Sequence, residues 1–223
     1  MCGQYYRPVL MKNGRTTVFN RYINKEYRCA KLTEHSWWYN PVCNYVAKQL
    51  YCERGRLAWV GDYAEDRELK KLGMNKNMKQ VWDSKGTGIT LDEERFTFSL
   101  SNKFLCNHDK KLYVNLNEYR KISNSSKSYL GKDWVLHPLS ILTAVGNGRG
   151  GGDYYDDYYP CLDLVGTWAW DLISIEDKAP EGYEKLDLCF MELASKNLKV
   201  LPKLHKYVNK EALAEVVGTE GAA

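Results

Sequence analysis

Apolar, aromatic and β-branched residues crowd residues 5–11 and 16–23, and Lys12-Asn13-Gly14-Arg15 separates the two runs. That pattern predicts two strands, and Asn-Gly is the strongest short signal for a hairpin between them. Asn40 then stands before Pro41, with Val42, Tyr45, Val46 and Leu50 at helical spacing and Gly55 beyond them. An Asn cap, a proline at the first helical position and a closing glycine predict a helix over 41–54. Residues 56–63 (RLAWVGDY) read as a buried strand, and 66–72 and 77–84 as short helices. Residues 95–100, 104–106 and 112–116 have strand character, with Asn107-His108-Asp109-Lys110 as the turn between the last two. Residues 121–132 are polar and serine-rich and read as a surface loop. Residues 137–145 read as a helix with Pro138 in its first turn. Residues 164–175 (LVGTWAWDLISI) read as strand, 182–193 as a further strand, and 202–217 as containing a helix. Residues 218–223 form a frayed tail. Hairpins mixed with helices predict one α+β domain over 1–223, on a mainly antiparallel sheet with short helices packed on it.

Composition narrows the classes. The 223 residues are 44% hydrophobic, enough for a core. No apolar run approaches the roughly 20 residues of a membrane-spanning helix, and the N-terminus lacks an apolar secretory stretch. The expectation is a cytoplasmic chain without a membrane partner. Seven cysteines without C-x-x-C spacing read as free thiols rather than a zinc site.

Charge is divided along the chain. Residues 1–150 hold 25 Lys+Arg and 14 Asp+Glu, a net +11, whereas residues 151–223 hold 7 and 14, a net −7. Two complementary surfaces of one fold explain this split. A nucleic-acid partner for residues 1–150 is the alternative, although acids are interspersed with the bases there. Seventeen tyrosines and seven tryptophans, against five phenylalanines, suit interfaces as well as half-buried sheet faces.

The segment Gly146-Asn147-Gly148-Arg149-Gly150-Gly151-Gly152-Asp153 draws the eye first as a phosphate cradle. Such cradles join a strand to a helix N-terminus. Here the predicted order is reversed: the loop leaves a helix C-terminus, with Gly146 or Gly148 as its cap, and runs into Asp153, Asp156 and Asp157. The better expectation is a hinge presenting an acidic, aromatic strip. Arg149, Asp153, Tyr154, Tyr155, Asp156 and Asp157 are the candidate binding residues, with Trp168 and Trp170 as walls. Asp153, Asp156, Asp157 and Asp163, joined by Asp62, could share a hard cation in metal-assisted phosphodiester hydrolysis. His35 and His137 read as structural histidines. No complete catalytic set, metal site or cofactor is assigned.

The opening Met-Cys-Gly resembles two families. Class II glutamine amidotransferases begin this way; the resemblance implies an N-terminal Cys2 nucleophile, with Asn147-Gly148 for the oxyanion. The SRAP family, which captures abasic DNA through its N-terminal cysteine, shares the opening, but its Asn-Ala-Arg-x-Glu segment is absent. Over most of the chain, GQYYRPVL, RLAWVGDYAE, NHDKKLYVNL, HPLSILTAVGNGRGGGDYY and LVGTWAWD resemble an uncharacterised type of protein from bacteria and their phages. That resemblance implies an accessory protein of a bacterium or mobile element. The expected function is therefore non-enzymatic binding of a protein partner. A metal-dependent phosphodiesterase using the aspartates, or an N-terminal-nucleophile hydrolase using Cys2, is the alternative.

Overall fold

A computed structural model of the protein describes residues 4–19, 31–32, 36, 38, 40–84, 98–124, 135–146 and 162–188. Among these residues, eight strands form one mixed, mainly antiparallel sheet: β1 (Tyr6–Lys12), β2 (Arg15–Val18), β3 (Gly55–Gly61), β4 (Phe104–Asn107), β5 (Leu112–Asn115), β6 (Ala144–Val145), β7 (Leu172–Glu176) and β8 (Glu184–Lys185). The order is β2-β1-β3-β7-β4-β5-β8, and β6 pairs with the C-terminal half of β3. Among the described residues, β3/β6 and β5/β8 are the parallel pairs. Five α-helices accompany the sheet among the described residues: α1 (Pro41–Cys52), α2 (Asp66–Lys71), α3 (Met78–Trp82), α4 (Leu116–Asn124) and α5 (Pro138–Leu142). The architecture is α+β.

Local chemistry explains the elements. The β1–β2 turn places Asn13 at φ 48 and Gly14 at φ 74, the left-handed pair that an Asn-Gly hairpin favours. The Asn40 side chain accepts from Val42 N at 2.9 Å and Cys43 N at 3.2 Å, satisfying two donors at the start of α1. Alternation along the strands builds two cores. Tyr6, Leu10, Leu57, Trp59, Leu105, Val114, Ile173 and Ile175 face one way, against α1, α4 and α5. Val9, Val18, Ala58 and Val60 face the other, with Leu69 and Met74 from α2 and its following turn and Val81 from α3. The β1–β3 half of the sheet is thus covered on both faces. Arg7, 4% exposed, crosses the second core and donates to the carbonyls of Val81 (2.6 Å), Trp82 (3.1 Å) and Ser84 (3.2 Å). A cation on the last carbonyls of a helix complements its dipole.

Several expected elements take other forms. Gly55 does not close α1, which ends at Cys52 with Glu53 as its C-cap; it begins β3, where a Cβ would meet Met11 O at 2.8 Å. Residues 98–100 are not strand. The polar stretch from 121 opens as the last turn of α4, because the Asn115 side chain accepts from Asn117 N and Glu118 N, and Leu116 and Tyr119 are buried. The expected helix over 137–145 stops at Leu142, and Ala144–Val145 becomes a strand against Trp59 and Val60. Residues 164–175 are strand only from Leu172; turns fill 165–170, with Gly166 at φ 73 and Trp170 at φ 64. Of the strand expected over 182–193, Glu184–Lys185 is strand. The helix expected within 202–217 lies outside the described residues.

Candidate functional site

One end of the sheet gathers what the sequence singled out. The register pairs Tyr6 with Gly61, and β6 runs beside Trp59 and Val60, so the start of β1 and the ends of β3 and β6 meet there. Gln4, fully buried, fills the junction. Its side-chain oxygen accepts from the Tyr6 hydroxyl at 2.8 Å. A Cβ at Gly61 would lie 2.3 Å from Gln4 Nε2, and one at Gly146 would lie 2.4 Å from Gln4 Oε1. Both glycines thus make room for one carboxamide, and neither takes a left-handed torsion. Asp62 continues β3 and clips the N-terminal residues: Asp62 N donates to Tyr5 O at 2.9 Å, and its Oδ1 accepts from Tyr5 N at 3.0 Å. Tyr5 and Tyr63 flank this carboxylate and are 37% and 48% exposed.

The glycine-rich segment leaves this junction. Gly146 follows a strand, not a helix, which corrects the expectation of a helix cap there. Arg149, Asp153, Tyr154, Tyr155, Asp156 and Asp157 lie outside the described residues, as do Cys2 and His35. The segment's far side is anchored close to its start: Gly166 N donates to Ile141 O at 2.9 Å, and a Cβ at Gly166 would lie 2.4 Å from Ala144 O. Trp168 and Trp170 were expected to wall a surface site. They are instead 1% and 4% exposed, inside the first and second cores respectively. Their backbone amides hold the turn to α5 and to the sheet, Trp168 N on Leu142 O at 2.8 Å and Trp170 N on Leu57 O at 2.7 Å. Asp163 is exposed, and among the described residues no three His, Cys, Asp or Glu side chains converge as metal ligands.

A second polar constellation, which the sequence reading missed, lies on β4 and β7. The Ser174 hydroxyl donates to Glu176 Oε1 at 2.6 Å and lies 2.8 Å from His108 Nε2; His108 Nδ1 lies 2.9 Å from the Tyr183 hydroxyl. A serine that spends its proton on Glu176 must accept from the ring, so Nε2 carries hydrogen and Nδ1 accepts from Tyr183. Burial, and then the Arg54 charge, lower the His108 pKa. Cys106, paired with Ser174 across the strands, is held as a thiol: burial and then Glu176 push its pKa up to about 12. Strand alternation could have placed Ser174 and Glu176 on one face; their meeting with His108 and Tyr183 needs the pairing of β4 with β7 and the loop before β8.

His137 is the N-cap of α5, its Nδ1 accepting from Leu139 N at 3.2 Å. It is buried against Trp38, its Nε2 has no hydrogen-bond partner among the described residues, and burial lowers its pKa to about 3. Among the described residues no helix is long and apolar enough to cross a membrane. No protein-family model, curated protein or solved structure matches the chain.

Proposed function

We propose that the protein is a non-enzymatic binding protein that presents residues 149–159 to a basic surface on a protein partner. The observation behind this reading is the Gln4 junction, where Gly146 releases the glycine-rich segment beside Asp62 and two exposed tyrosines. The segment 147–161 carries one arginine and three aspartates, a net −2, together with Tyr154, Tyr155, Tyr158 and Tyr159. Asp62 adds a carboxylate at its base, and Tyr5 and Tyr63 add amphipathic contact area. Acid and tyrosine together favour lysine- and arginine-bearing partners, through ion pairing and cation–π contact. With the sequence resemblance above, the role is that of a bacterial or phage accessory acting on a host factor or defence system.

The test is affinity capture from bacterial lysate with the tagged full chain. Wild type captures a defined partner, Tyr154→Ala/Tyr155→Ala loses it, and Arg67→Ala on the exposed face of α2 keeps it. Equal capture by all three would overturn the placement.

A second reading rests on the same junction. Cys2 is two residues from Gln4, Asn147 is one from Gly146, and Gln4 and Gly146 are in contact. A Cys2 nucleophile served by Asn147-Gly148 fits that closeness. It requires Met1 removal, read by intact mass, and turnover that Cys2→Ser abolishes; retained Met1 ends it.

A further inference from the structure

The chain of hydrogen bonds Tyr183–His108–Ser174–Glu176 has the order of an activated nucleophile. A hydroxyl meets a histidine nitrogen, and the opposite nitrogen is oriented by a group tied to a carboxylate. Ser174 is itself unsuited to attack: it is 1% exposed and its proton is committed to Glu176. Tyr183, half-buried at the open end of the chain, is the hydroxyl that can meet a reagent. Its loop is fixed beside the β4–β5 turn by Glu184 N on Lys111 O at 2.9 Å, and its ring meets His108 edge-on. Arg54 and Lys111 are both exposed. The first is close enough for its charge to act on the His108 ring, and the second adjoins the Tyr183 loop.

We propose that Tyr183 is a primed nucleophilic phenol, with His108 as its base and Ser174–Glu176 as the orienting arm, poised for a phosphoryl centre bearing a good leaving group. In the step, Tyr183 Oη bonds to phosphorus as the bond to the leaving group breaks. The phenolic proton passes to His108 Nδ1, and the departing group carries away the electron pair. The imidazolium so formed keeps its Nε2–H on Ser174, whose hydroxyl stays on Glu176. Arg54 and Lys111 are the cations available to the phosphoryl oxygens. A neutral His108 at neutral pH, which its lowered pKa favours, is the form that can accept the proton.

The probe is an alkyl fluorophosphonate, from which fluoride leaves, with adducts mapped by peptide mass spectrometry on the full chain. Labelling of Tyr183 is expected to exceed that of Tyr63 by on the order of tenfold or more, although Tyr63 is 48% exposed. It should fall as pH drops and His108 protonates, slow severalfold in Glu176→Gln, and sink to the Tyr63 rate in His108→Asn. A purely structural network would leave the Tyr183:Tyr63 ratio independent of pH, because phenolate formation speeds both tyrosines alike. Should His108→Asn fail to fold, the wild-type Tyr183:Tyr63 ratio and its pH dependence decide the matter. Adducts that follow exposure, an adduct on Ser174, or a Tyr183 rate independent of pH and of Glu176 would overturn the proposal.

Discussion

Acid should destabilise this fold through His137. The ring is buried and neutral in the folded state, with its pKa lowered to about 3 from 6.5 by burial. In the unfolded chain it takes up a proton near pH 6.5. Above that pH both states are neutral there and the group contributes no pH dependence. Below it the unfolded state binds more protons, so stability falls until the folded-state pKa is reached. Each unit is worth about 1.4 kcal/mol, giving a loss of about 2 kcal/mol between pH 7 and 5, with a ceiling of about 5 kcal/mol near pH 3. That is a large share of a domain stability of about 5–15 kcal/mol. His137→Asn isolates the effect. Asn is among the best N-caps and keeps an acceptor for Leu139 N, but it does not titrate. The smaller side chain loses contact with Trp38, a penalty independent of pH. Urea melts of both proteins at pH 7, 6 and 5 should therefore show the wild-type advantage shrinking by about 2 kcal/mol. Titration of His108 is common to both and cancels in the difference. Parallel pH curves would show that the His137 ring is hydrated or protonated inside the fold, and the reasoning would fail.

Three further outcomes follow from the packing. Gly146→Ala should cost about 1–3 kcal/mol, because its Cβ would meet Gln4 at 2.4 Å, and much of that cost should vanish in a Gln4→Ala background. A double-mutant cycle by urea denaturation should give a coupling of about 1 kcal/mol, and strict additivity would count against the junction. Gly166→Ala meets backbone at Ala144 O and a φ of 73°, so it should cost more than about 2 kcal/mol, read as a lowered Tm. Asn40→Ala should cost about 1 kcal/mol by losing the bonds to Val42 N and Cys43 N, read as a lowered urea midpoint.

Elements governed by local chemistry were legible in the sequence. Asn13-Gly14 dictates a hairpin, Asn40-Pro41 a helix start, and Asn107 a turn, its Oδ1 accepting from Lys110 N at 2.9 Å. Elements governed by distant partners were not. Ala144–Val145 continues the apolar run of α5, and nothing local marks the break. Their strand form depends on the β3 edge that β7 leaves vacant beyond Arg56. Trp168 and Trp170 looked like surface aromatics beside an acidic strip. The turns over 165–170 fold both inward, into opposite cores, because Gly166 and Trp170 take left-handed torsions that a strand reading does not allow. Of the candidate site, the junction was visible only as scattered glycines. Gly61 and Gly146 are far apart in sequence, and Gln4 alone explains both.

The strand before Gly146 also changes the argument about what the glycine-rich segment can bind. The case against phosphate rested partly on a negative helix terminus at its start, and no helix ends there. A strand carries only a small net dipole, so the charge at the segment's base comes from side chains. One of these is Asp62, which follows Gly61 of the junction and is fixed by Tyr5 N. Asp153, Asp156 and Asp157 add three negative charges against the single positive charge of Arg149. The proposed preference for a cationic partner therefore rests, in its charge–charge part, on these carboxylates, and that part is removable. Asp156→Asn/Asp157→Asn would leave Asp62, Asp153 and Arg149 and bring the segment close to neutrality, so a basic partner should lose affinity most at low salt, where unscreened charge counts for most.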